Sequence, residues 1–136
     1  MHHATYALLL FAGWTFLLVL AVFTWRGIAL LTGTKITSWP RGTKNPNDPG
    51  IVLRIADAHA NCLENLPIFA VLVLSAEALG QAATVTDPIA KYVLWARLAQ
   101  STVHIIGVNT PLVLARATFW AIQLVCFGIM FAGLVL

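Results

Sequence analysis

The chain has 136 residues, 60% of them hydrophobic and only 10% charged, with a mean hydropathy of +0.85. That balance excludes an ordinary soluble domain and defines an integral membrane protein. The formal net charge of +3 is accounted for by topology and anionic lipid without nucleic acid, and the two cysteines supply neither a disulfide framework nor a metal-ligand spacing.

The first uncharged run, Met1 to Trp25, lacks the basic start and small-residue cleavage site of a secretory signal. It predicts a retained first transmembrane helix over about residues 5–32. Residues 34–50, rich in Pro, Gly, Asn and Thr, form the only sizeable loop, either a plain connector or the mouth of a site. Further helices are expected over 49–80, 88–107 and 111–136. A hydrocarbon core about 30 Å thick needs roughly 20 apolar residues per helix, and four such segments fill the chain. The expectation is an all-α, four-transmembrane-helix bundle occupying residues 1–136 as a single domain.

Three helix starts share one chemistry. Asp48-Pro49, Asp87-Pro88 and Thr110-Pro111 each offer a side-chain acceptor at the N-cap and a proline at the first helical position. Gly33, Gly80 and Gly107 suit helix termination. Arg26, Lys35, Arg41, Lys44 and Arg54 lie in or beside the first connection, which places that loop in the cytoplasm and both termini on the opposite side. The short, tail-free chain suits a bacterial inner membrane.

Two polar stripes interrupt the apolar pattern. At about 100° per residue, Arg54, Asp57, Asn61, Glu64 and Asn65 fall within an arc of roughly 100° on the second helix. On the third, Arg97, Gln100, Ser101 and His104 share one face. Ionisable side chains inside a membrane cost at least a few kcal/mol each, so they turn to a bundle interior or wet cavity and pair there. Two such stripes imply a shared polar interior and a ligand site, with helix-locking ion pairs as the alternative. His59 lies about 200° from Asp57, on the face away from Asn61 and Glu64, and is expected to serve as a packing hydrogen-bonder. His104 is the better ligand contact or acid–base group. Cys62 reads as a packing residue, and Glu77 as a mid-membrane carboxyl of open role. Arg116, one to two turns into the last helix, either snorkels to the interface or points into a cleft.

The segment Ala58, His59, Asn61, Glu64, with Asn65 and Pro67 after it and Arg54 before it, resembles the signature of the MAPEG superfamily of membrane-associated proteins in eicosanoid and glutathione metabolism. Arg97 stands at the family's third-helix arginine, and the four-helix layout and length agree across the whole chain. The resemblance implies a homotrimer with glutathione, the co-substrate, bound between subunits near the cytosolic side, and no metal. It assigns substrate binding to Asn61, Glu64, Arg54 and Arg97 and thiolate stabilisation to Arg116; on the polar-stripe reading Gln100 and His104 join the binding set, with His59 and Asp57 structural. This chain departs from the animal enzymes of the family at Ala60, Asp57, Gln100 and His104, and Arg116 aligns only after a short insertion.

The expected activity is conjugation of glutathione to, or reduction with it of, lipophilic electrophiles or hydroperoxides arriving from the bilayer. A non-catalytic member that binds a lipid or thiol ligand, or assembles with other membrane proteins, is the alternative. A channel is disfavoured because Tyr6 to Val22 offers almost no polar residue except Thr15.

Overall fold

The computed structural model describes residues 1–136, apart from the surroundings of Gly42. Four helices form an up-and-down bundle: α1 (His3–Leu31), α2 (Gly50–Ala78), α3 (Asp87–Ile106) and α4 (Thr110–Val135). Two 3-10 turns, Ile36–Ser38 and Pro40–Gly42, shape the first loop, and a π-helical turn, Ala82–Thr86, leads into α3. The middle pair, α2 and α3, touch each other; α1 packs on both from one flank and α4 on both from the other, while α1 and α4 hardly meet.

By length and composition α1, α2 and α4 qualify as membrane spans. The third helix, expected as an apolar span of the same kind, is not among them: it is 20 residues long and carries Arg97, Gln100, Ser101 and His104. All four of those side chains are buried inside the bundle, so α3 brings polarity to the interior without offering it to lipid. Below them Phe11, Phe69 and Phe127 meet in tilted contacts across three helices, with ring centroids 5.8 Å and 6.1 Å apart. Val73, Val93 and Met130 close the core around them.

Helix ends follow the expected residue types but not the expected partners. Gly33 (φ 105°) and Gly80 (φ 66°) adopt left-handed backbone that other L residues resist. Each closes a Schellman pair: Thr34 N–H donates to Ala29 O and Gly33 N–H to Leu30 O, Gln81 N–H to Ala76 O and Gly80 N–H to Glu77 O. Gly107 is extended and forms no such motif.

The three expected N-caps are all displaced. Asp48 caps nothing; its carboxylate accepts from Trp25 Nε1 (3.2 Å) and Trp39 Nε1 (2.8 Å) and so ties the first loop to α1. Asp87 is the first residue of α3, and its carboxylate accepts from the Ala4 backbone N–H at 2.8 Å and lies 3.0 Å from His2 Nδ1. It thereby caps α1, whose first amides have no partner of their own. At the fourth helix Asn109, one residue before Thr110, is the cap, accepting from Leu112 N–H at 3.1 Å. Glu77, expected mid-membrane, sits in the last turn of α2, accepts from Thr5 Oγ1 and lies 3.8 Å from His2 Nε2.

Candidate functional site: a polar cleft between α2, α3 and α4

The end of the bundle that carries the first loop also holds most of its interior polarity. α2 and α3 each turn a polar face inward there, and α4 starts beside them. Arg54 Nε donates to Ile105 O at 2.7 Å, meeting one of the last carbonyls of α3, which have no partner inside that helix. Asp57 pairs with Lys44 of the loop and lies 3.9 Å from His104 Nε2. Asn61 Nδ2 is 3.1 Å from His104 Nδ1. An amide N–H donating to Nδ1 leaves the imidazole proton on Nε2, facing Asp57.

Deeper in the bundle the amides form a chain. Asn65 Nδ2 donates to Gln123 Oε1 (3.1 Å), and Gln123 Nε2 donates to Gln100 Oε1 (2.9 Å) and to Phe119 O (3.0 Å). Gln123 is completely buried. Cys62 Sγ lies 3.7 Å from Ser101 Oγ, two small polar groups closing the α2–α3 contact.

Above this chain opens a cleft of about 250 Å³ lined by Asn61, Glu64, Gln100, Val113, Arg116, Ala117 and Trp120. Three helices contribute to it. Asn61 and Gln100 form its fixed floor because both amides are held by the contacts just described. Glu64 is exposed at its rim and Arg116 half-buried, and among the described residues neither makes a hydrogen bond or an ion pair within 4.0 Å. The cleft thus presents one carboxylate and one guanidinium beside an indole and two amides.

Of the residues singled out in the sequence, Asn61, Glu64, Gln100 and Arg116 come together here. Arg54 and His104 lie beside the cleft, held by Ile105 O and Asn61. Arg97 is wholly buried, and its guanidinium carbon lies 5.5 Å from the centroid of Phe11. None of its three nitrogens has a hydrogen-bond partner among the described residues. His59 makes no hydrogen bond among the described residues and faces a separate cavity of about 480 Å³ with Arg26 and Lys44, on the α1 side of α2. Neither Gln123 nor Trp120, which the sequence suggests only as an interface anchor, was expected among the site residues. Gln123 was visible as a lone amide in the apolar stretch of α4, where a polar residue in a membrane helix signals an interior contact. Trp120 carried no such signal. Among the described residues no group of three or more His, Cys, Asp or Glu side chains could hold a metal ion.

An all-helical membrane bundle with a polar, partly open cleft between helices is the class that fold and site define. The chain belongs to the MAPEG family, whose model matches residues 4–136. Comparison with curated proteins and with solved structures gave no match. Membership makes this an integral membrane protein of a family associated with glutathione.

Proposed function

We propose that the cleft binds glutathione and that the protein uses it as a membrane-bound transferase or peroxidase on lipophilic electrophiles or hydroperoxides. The observation that carries this reading is the pair Glu64 and Arg116, opposite charges with no ion-pair partner within 4.0 Å among the described residues, at one opening with Asn61, Gln100 and Trp120. Glutathione has two carboxylates and one amine: Glu64 and the fixed amides complement the amine and backbone, and Arg54 beside the cleft is the cation placed for a carboxylate. A guanidinium beside the thiol favours the thiolate, the form that attacks an electrophilic carbon or a peroxide oxygen. Arg116 is the group we assign to that task. The cleft's flank of Val113, Ala117 and Trp120 suits an apolar second substrate entering from lipid.

The cleft is smaller than the roughly 300–1,000 Å³ of ordinary ligand sites, and Glu64 and Trp120 are exposed at its edge. A homotrimer in which a neighbouring copy closes the opening accounts for both facts. In the same reading the loop between α1 and α2 faces the cytoplasm of a bacterial inner membrane, following its basic residues.

Calorimetric titration of glutathione into the purified protein tests the proposal. Saturable binding is expected, abolished in Glu64→Ala, with Arg116→Ala retaining the oligomer but losing turnover of a model electrophile. Absence of binding at millimolar glutathione, or full turnover in both variants, would overturn it.

A further inference from the structure

The flank opposite the cleft carries a second feature, on α1 and α3. A cavity of about 460 Å³ at the start of both helices and one of about 500 Å³ further along share Leu10 and Leu94 as walls, so together they form one groove along the α1–α3 seam. From His3 to Leu17 it follows α1 for about 21 Å at 1.5 Å per residue. That is more than half of a hydrocarbon core about 30 Å thick.

The two ends of the groove differ in chemistry. Its mouth holds His3, Tyr6, Asp87 and Lys91, with Trp95 beside them. Asp87 is engaged by Ala4 N–H and His2. Among the described residues Lys91 has no carboxylate partner, and its ammonium lies 5.0 Å from the centroid of Tyr92. From Leu9 on the walls are Trp14, Phe16, Leu17 and Leu98, apolar apart from the Trp14 indole N–H, which has no hydrogen-bond partner among the described residues. Gly13 also lines this deeper part, and a Cβ added there would meet nothing within 4 Å, so the missing side chain leaves the space open.

We propose that this groove is a specific site for one acyl chain of an anionic phospholipid, with the lipid phosphate at the Lys91 ammonium. A cation with no carboxylate partner among the described residues, at the level of Tyr6, Tyr92 and Trp95, aromatic residues typical of a membrane interface, complements a phosphate at headgroup depth. The long apolar channel below complements the chain. A peptide segment fits poorly, because both walls are helices whose backbone groups are already paired and offer an extended strand nothing to bond. The site is independent of the glutathione reading, since none of its residues lines the α2–α3–α4 cleft.

The test is native mass spectrometry of the full chain released from nanodiscs with equal parts dioleoyl phosphatidylglycerol and dioleoyl phosphatidylcholine. Wild-type protein is expected to retain the glycerol lipid about fivefold over the choline lipid, the effect of one cation near an anionic headgroup. Lys91→Gln should abolish that preference while still retaining lipid, and Gly13→Phe should lose both lipids. A melting curve monitored by circular dichroism identifies a Gly13→Phe protein that has failed to fold; Lys91→Gln, on the surface, then decides alone. Soluble glycerol phosphate should not displace the lipid. Equal retention of both lipids by wild-type protein, an unchanged preference in Lys91→Gln, retention of no lipid because a second copy covers the face, or displacement by glycerol phosphate would each overturn the proposal.

Discussion

Asn61 Nδ2 lies 3.1 Å from His104 Nδ1, so the amide at the floor of the cleft is also the group that orients an imidazole on the facing helix. In the proposed site, one side chain would serve both ligand and scaffold. His104→Leu removes the acceptor of the half-buried Asn61 amide, a loss of about 0.5–1.5 kcal/mol, the net contribution of an ordinary hydrogen bond. His104→Gln, which can still accept, should recover most of it. Chemical unfolding in detergent measures the difference, and equal stability of the two variants would show that the contact contributes nothing.

Gln123 is the link on which two other amides depend. Gln123→Leu is expected to destabilise the bundle by about 1–3 kcal/mol, because the buried amides of Asn65 and Gln100 both lose partners. The double variant Gln123→Leu with Asn65→Leu should cost less than the two single effects added, since paired residues couple. Strict additivity would contradict the network.

Gly80 adopts φ 66°, and a Cβ added to it would meet nothing within 4 Å, so substitution there meets backbone strain alone. Gly80→Ala should cost about 1–2 kcal/mol, the penalty for an L residue in left-handed conformation. Gly80→Asn should cost clearly less. Thermal unfolding of the two variants gives the order, and a smaller loss for alanine would contradict the Schellman geometry.

Asp48 accepts from two indoles, Trp25 and Trp39, that belong to different segments. Asp48→Ala should release the first loop, shifting tryptophan emission and speeding proteolysis between Thr34 and Asn47. Hydrogen bonds to a charged acceptor contribute about 1.5–3 kcal/mol each, so the change should be large. An unaltered spectrum and cleavage rate would mean that the loop is held elsewhere.

Membrane class, four helices and the inward turn of the Arg97, Gln100, Ser101 and His104 stripe were legible from hydropathy and the 3.6-residue period, because both are local properties of the chain. The family was legible for the same reason: Ala58, His59, Asn61 and Glu64 are read off consecutive turns of one helix. Cap chemistry was legible only in part. Gly33 and Gly80 terminate helices because the backbone itself demands left-handed conformation there. Asp48 and Asp87 have the composition of N-caps yet bond to groups 9 or more residues away, which helix-start statistics do not see.

By itself, then, the sequence determined that this protein lives in a membrane, as helices with polar faces turned to one another, since solvent transfer and helical periodicity act residue by residue. Tertiary structure decided which polar groups meet. It sent Arg54 to a carbonyl of α3, sealed Arg97 inside the bundle, and gathered Asn61, Glu64, Gln100 and Arg116 from three helices around one cleft. Those outcomes depend on how the helices pack, and packing is a property of the assembled bundle that no single stretch of chain carries.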